Sequence, residues 1–286
     1  MNKRYLIPLT AVGGGTIALV LRWLQNAFGF EVHTGLPIAG HPAGIVLVLW
    51  LAVLAAALIV LARQLPKESI YPEDFAADDA RQALLPVMGA LLFGLSGVLD
   101  VAAIAVPELV SDGRGFTPVI RLIFAATTLV PAAALFQAAS VCRHVNDLPE
   151  EDEEDAEGID ETEEEIAEEE PSDTAHAYLL AVPVCLVVRL VLAYRVYSVN
   201  PTLEEYYIPL LALVLMIMAF YRLSGSAFRA GETRRFAPYA AGAVVLCIAS
   251  LADRAALSEV LLYTGGAMTL LGFLLLRVFR WDNAEN

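Results

Sequence analysis

Long apolar stretches alternate with short polar segments along most of the chain. A helix of about 20 apolar residues is long enough to cross the hydrocarbon core of a bilayer. Eight such stretches occur, at 5–29, 43–62, 83–106, 116–141, 176–198, 206–222, 236–253 and 258–279. Charged and turn-forming residues cluster between them. The pattern predicts an all-α fold, a polytopic transmembrane helical bundle of about eight spans in contact with the lipid bilayer, with 206–222 and 236–253 as its weakest spans.

One long acidic run interrupts this alternation between the fourth and fifth stretches. Residues 147–173 hold 17 of the 33 acidic residues and none of the 18 basic ones. Such a segment buries too little apolar surface to offset the entropy lost on ordering. We therefore expect a disordered cytosolic linker, 145–175, between a first four-span half, 1–144, and a second, 176–286. The linker is a solvated spacer, a tether for a basic protein partner or a cation buffer.

Composition narrows the class of protein further. Apolar residues make up 58% of the chain, above the usage of soluble proteins, and the mean hydropathy is +0.62. Outside the acidic run the chain has 16 acidic and 18 basic residues, so the net charge of −15 comes from that one segment. This distribution indicates no nucleic-acid binding. The three cysteines have no CxxC spacing, which argues against a disulfide framework.

The basic residues predict the orientation of the bundle. With a cytosolic N-terminus, 12 of the 18 fall on inner segments. These are Lys3, Arg4, Arg63, Lys67, Arg81, Arg143, Arg222, Arg229, Arg234, Arg235, Arg277 and Arg280. Positively charged segments stay in the cytosol, so both termini are expected to be cytoplasmic in a multi-pass cell-membrane protein. No small-x-small site follows the first apolar run, so we favour an uncleaved span over a cleaved signal peptide.

The two halves share a weak internal repeat. Tyr5-Leu6 precedes Arg22 by the interval that separates Tyr178-Leu179 from Arg195, and Gly89-Ala90 precedes Asp100 as Gly242-Ala243 precedes Asp253. Four spans per unit is an even number, which would make the units parallel, related by an axis along the membrane normal. The spacing predicts two parallel four-helix repeats.

Five charged residues within the spans form the candidate site. At about 1.5 Å per residue, Arg22, Asp100, Arg195 and Asp253 lie about 25 to 29 Å above the inner boundary. Arg189 lies only about 16 Å up, where an arginine costs roughly 3 kcal/mol. Such charges either pair between helices or line an outward-facing site for an anionic small molecule. We predict that all five converge in the outer half of the bundle.

No motif for catalysis, nucleotide binding or metal binding is present. Glu31, His33 and His41 share one loop, but their spacing matches no metal site, so no metal and no cofactor is predicted. The triplet Gly13-Gly14-Gly15 suits close helix packing, with a broken, substrate-coordinating helix as the alternative. The sequence therefore leans away from an enzyme.

Two short segments of the second half carry a resemblance. Asn200-Pro201-Thr202-Leu203 through Tyr206, and Phe220-Tyr221-Arg222-Leu223-Ser224-Gly225, resemble segments of an uncharacterised family of bacterial multi-span membrane proteins. The resemblance implies no activity.

Three classes of function remain. The first is a small-solute or anion transporter or channel-like protein with an outward-facing Arg/Asp site, because buried arginines are costly to keep. The second is a non-catalytic membrane scaffold or sensor whose acidic linker holds a partner. A membrane-embedded enzyme is the third. Arginines that line an enclosed polar path would favour transport, whereas arginines paired in packed protein would favour the scaffold.

Overall fold

The computed structural model describes residues 5–31, 38, 40–79, 81–106, 117–144, 176–197, 206–253 and 255–285. Its helices are α1 Leu6–Phe28, α2 Pro42–Ala62, α3 Leu84–Ala105, α4 Pro118–His144, α5 Ala181–Tyr197, α6 Tyr207–Ala227, α7 Thr233–Ser250 and α8 Leu257–Glu285. Two short strands, β1 Glu68–Ser69 and β2 Gly231–Glu232, pair antiparallel. The all-α bundle is confirmed. The predicted acidic linker, 145–175, lies outside the described residues.

Seven of these helices are long and apolar enough to cross a membrane, and α7 is the one that falls short. This helix carries Arg234 and Arg235 in its first turn and is rich in alanine. Packed against α1, α2, α6 and α8, it is mostly buried in protein. Small side chains allow that close approach, whereas a lipid-facing helix needs large apolar ones. Its position explains its low hydropathy.

The helices of the two halves share one hydrophobic core. The most extensive helix contacts are those of α3 with α8 and α4, and of α7 with α6 and α1. A parallel repeat would give α3 and α7 matching neighbours, but among the described helices α3 packs mainly on α4 and α8, while α7 also packs on α1, α2 and α6. Helix packing therefore gives the repeat no support, and it stays a prediction.

Glycines allow the closest helix contacts. A Cβ atom on Gly265 of α8 would lie 2.7 Å from the Phe93 backbone nitrogen of α3. Helix α1 runs unbroken through Gly13-Gly14-Gly15, and a Cβ on Gly14 would lie 2.6 Å from Leu54 of α2. The Trp50 indole donates to the Gly14 carbonyl at 3.1 Å. Gly14 and Gly15 thus serve packing, a Cβ on Gly13 would meet nothing within 4 Å, and the alternative of a broken helix is wrong.

An ordered segment connects α2 and α3 at the predicted inner end, where α2, α4, α6 and α8 end. Tyr71 and Phe75 of this segment are buried in the core. The Tyr71 hydroxyl donates to the Ala138 carbonyl at 2.9 Å, and burial raises the pKa of Tyr71, which keeps the phenol neutral. Arg277 of α8 reaches the segment from the other side. The sequence predicted only a turn-rich connection here.

Arg277 joins three parts of this end. Its Nε donates to the Thr233 hydroxyl at 3.0 Å and its Nη2 to the Glu68 carbonyl at 3.0 Å. Its Nη1 lies 3.1 Å from Asp74 Oδ1, and the side chain is 6% exposed. We expect Arg277→Met to destabilise the 68–76 segment by about 2–3 kcal/mol, because the two hydrogen bonds of the buried guanidinium and its ion pair with the partly exposed Asp74 are lost together. Amide exchange at Tyr71 and Phe75 should then accelerate at least tenfold.

The matched control for this change is Arg280→Met, one helical turn further along α8. Arg280 is 38% exposed and makes one 3.2 Å contact to Asp78. An exposed pair of this kind contributes little, so amide exchange should stay near wild type. Equal exchange in the two variants would show that Arg277 does not hold the segment.

Candidate binding site at the predicted outer end

The candidate residues lie at the predicted outer end, where α1, α3, α5 and α7 end and α2, α4, α6 and α8 begin. Arg22 of α1 and Asp253, just after α7, form the first ion pair. Nε of Arg22 donates to Asp253 Oδ1 at 2.7 Å, and the side chains are 0% and 8% exposed. Asn26 Nδ2 donates to the same oxygen at 3.0 Å. The pair is short, charge-assisted and buried, so breaking it leaves an uncompensated charge in protein.

Gln25 extends this network away from the ion pair. Its Oε1 accepts from Arg22 Nη1 at 2.9 Å and from the Tyr207 hydroxyl at 3.3 Å. A guanidinium can only donate, which fixes the amide with its oxygen toward Arg22 and its Nε2 on the other side. A Cβ on Gly44 of α2 would lie 3.2 Å from that nitrogen. The Gln25 side chain is thus a rigid donor directed at the first turn of α2.

A cavity of about 600 Å³ lies where Nε2 is directed. Its polar lining includes Gln25, His41 and Tyr207, and its apolar lining includes Ile45 and Val48. We call it the outer chamber. His41 caps α2, with Nδ1 accepting from the Ala43 amide at 3.3 Å, so the neutral ring carries its proton on Nε2. The chamber therefore offers hydrogen-bond donors beside an apolar wall.

Arg189 of α5 and Asp100 of α3 form a second ion pair. Nη1 of Arg189 lies 3.6 Å from Asp100 Oδ2, and the side chains are 4% and 7% exposed. The same Nη1 donates to the Phe124 carbonyl at 3.2 Å, and the guanidinium carbon lies 4.7 Å from the centre of the Phe124 ring. Arg189 thus lies in packed protein and reaches Asp100, another of the five candidate residues.

The structure brings four of the five candidate residues together as two pairs. Each pair joins one half of the chain to the other, and the two share none of the neighbours described above. Arg195 is exposed on the last turn of α5, one and a half turns beyond Arg189. The repeat predicted that Arg195 would take the place in its half that Arg22 takes in the first, but Arg189 makes the buried pair. Ligand binding by these residues stays a prediction.

Gln25, Asn26 and Phe124 were missed by the sequence analysis. The first two had a usable signal, since residues three and four positions after Arg22 lie on the same helix face. The Phe124 carbonyl carries no signal in the sequence, because any residue has one.

Only one of the two loop histidines lies among the described residues. His33 lies outside the described residues, and His41 caps α2. Within the described part of the chain, no three His, Cys, Asp or Glu side chains are grouped so that they could hold an ion.

The comparisons with known proteins assign no family. No family model, curated protein or solved structure matches the chain. The resemblance to bacterial multi-span proteins therefore stays a prediction, and function must be argued from the geometry.

Proposed function

We propose that the protein is a non-catalytic membrane scaffold or sensor whose bundle anchors the acidic linker as a tether for a basic partner. The observation that carries this proposal is the buried, paired state of Arg22 and Arg189, which are 0% and 4% exposed. A charge that served a conducting path would have to meet water or solute, whereas a charge that holds helices together is enclosed and paired.

The position of the two pairs supports the same function. Arg22 with Asp253 joins α1 to the end of α7, and Arg189 with Asp100 joins α5 to α3. Because both contacts cross between the halves, they hold the bundle in one arrangement from the predicted outer end, opposite the inner end where the linker leaves it. The linker itself offers 17 acids within residues 147–173 and no base, which suits a basic protein surface. In this proposal the termini and the linker are cytoplasmic, as the basic residues predict.

A linker replacement tests the tether. With the acids between Glu150 and Glu170 changed to Gly and Ser at equal length, we expect the bundle to keep its stability in detergent. Binding of a fluorescent oligolysine peptide should fall at least tenfold, and its salt dependence should disappear, because both arise from the acids. The matched control shuffles the same segment at unchanged charge and should bind normally. Oligolysine binding that survives the neutral linker would remove the support for the tether.

Anion transport is the second candidate, and one observation favours it. The Arg189–Asp100 pair is longer than the Arg22–Asp253 pair, and Asp100 Oδ2 has no hydrogen-bond partner among the described residues. Because this pair is long and incompletely hydrogen-bonded, a small anion could replace Asp100 as the partner of Arg189. Proteoliposomes loaded with an anion-sensitive dye separate the two candidates, since the scaffold predicts no flux above protein-free vesicles. Flux that Arg189→Gln abolishes would establish transport instead.

A further inference from the structure

We propose that the outer chamber binds one glycerophospholipid, with the lipid's oxygen acceptors on Gln25 and His41 and one acyl chain in the groove between α2 and α6. The site does not depend on the scaffold proposal, since a transporter could carry the same lipid. A polar donor, the shape of the groove and the apolar surface onto which both open favour this ligand.

The polar end of the site is set by Gln25. This residue is 6% exposed, and no described residue accepts a hydrogen bond from its Nε2. Because Gln25 lines the chamber, this donor is available to a bound molecule that supplies an oxygen acceptor in place of water. His41 adds a ring N–H on the same wall, and the first turn of α2 places the positive end of a helix dipole there. Asp253 balances the positive charge of Arg22, so this ion pair adds no net charge near the chamber. The chamber therefore selects ester or phosphate oxygens.

A separate apolar groove lies beyond the chamber, toward the middle of the bundle. Helices α2 and α6 both pack on α7 but leave a cleft of about 120 Å³ between them. The cleft is lined by Leu51, Ala55 and Leu58 of α2, Leu211 and Leu215 of α6, and Gly242 of α7. Ile45 and Val48 of the chamber precede Leu51 and Ala55 at helical spacing, and Tyr207 precedes Leu211 by four residues. The two cavities therefore follow one another along neighbouring faces of α2 and α6.

The dimensions and the exit of the site point to a lipid. From Gly44 to Leu58, the α2 wall covers about 20 Å at 1.5 Å per residue, more than the roughly 15 Å of one leaflet's hydrocarbon layer. Ile45, Val48 and Leu49 at the chamber mouth are 54%, 56% and 60% exposed, so the site opens sideways onto an apolar surface of a spanning helix. A soluble anion would gain nothing from an apolar cleft, whereas a phospholipid fills both parts at once.

Native mass spectrometry of protein extracted with phosphatidylglycerol tests the proposal. The wild type should retain one phospholipid per chain through detergent washing. Ala55→Phe fills the groove from its exposed edge, and Gly44→Ala places a methyl group 3.2 Å from Gln25 Nε2 without weakening the helix. We expect retention to fall at least fivefold in Ala55→Phe and about threefold in Gly44→Ala. Both variants should melt at the wild-type temperature without added lipid.

The matched control is Ala57→Phe, which adds the same side chain at nearly the same depth but on another face of α2, about 200° around the helix. It should retain lipid as the wild type does. Equal loss in Ala55→Phe and Ala57→Phe would overturn the proposal, as would wild-type protein that retains no phospholipid. A second copy of the chain in the groove would instead show as a dimer that Ala55→Phe dissociates. Displacement of the lipid by millimolar inorganic phosphate would assign the chamber to a soluble anion.

Discussion

Replacing Asp253 by Asn is expected to lower the free energy of unfolding by about 3–5 kcal/mol, the cost of leaving one partner of a buried ion pair uncompensated. Arg22 is completely buried and cannot lose its proton, so the charge stays in the protein when the carboxylate is gone. Gln25 keeps one hydrogen bond to the guanidinium but brings no negative charge. Unfolding in mixed micelles of increasing dodecyl sulfate content measures the change.

The same chain offers a control for this prediction at the other end of α7. Glu232 and Arg235 lie 2.6 Å apart, but their side chains are 32% and 58% exposed. Because solvent screens such a pair, Glu232→Gln should change the free energy of unfolding by less than about 1 kcal/mol. If Asp253→Asn were as mild, the Arg22 pair would not hold α1 to α7.

Most of the helices could be predicted from the sequence because the bilayer imposes a simple rule on composition. Seven predicted spans coincide with helices that are long and apolar enough to cross. Helix α7 lies inside the bundle, where neighbouring helices rather than lipid surround it, and packing there favours alanine and glycine over large apolar residues. The apolar pattern of α7 is therefore weak, although most of its residues are buried. The segment that carries Tyr71 and Phe75 was missed because its order comes from contacts to α4 and α8, distant in sequence.

The sequence allows an estimate of the depth of each candidate residue in the membrane, but it does not say which residues form ion pairs. Rise per residue placed Arg22 and Asp253 at one level, and the structure joins them. It also placed Arg189 well below Asp100, yet the long arginine side chain spans the difference and the two meet. Depth alone cannot say which face of a helix a residue occupies, and so Arg195 was grouped with residues whose burial it does not share. The outer chamber could not be predicted for the same reason, since it depends on the relative positions of α1, α2 and α6.

The second ion pair should be far more sensitive to the loss of one partner than to the replacement of both. Asp100→Leu leaves Arg189 charged and buried, so we expect a loss of about 3–5 kcal/mol in the free energy of unfolding. Arg189→Met leaves the buried carboxylate of Asp100 without its cation, so we expect a loss of the same order. The double variant Asp100→Leu/Arg189→Met replaces the pair by apolar side chains of similar length and should be close to wild type in stability. Unfolding of the four proteins in mixed micelles gives the complete cycle.

This cycle also distinguishes two roles of Arg189: joining α3 to α5 and binding an anion. If the pair only joins α3 to α5, the coupling between the two positions is large, and added anion leaves the wild-type free energy of unfolding unchanged. If Arg189 holds an anion, stability should rise with anion concentration by mass action, and the rise should vanish in Arg189→Met. The Phe124 carbonyl and ring already occupy one side of the guanidinium. An anion could therefore approach only by displacing Asp100, so Asp100→Leu should increase the anion-dependent stabilisation if such binding occurs and leave it at zero if the pair is structural.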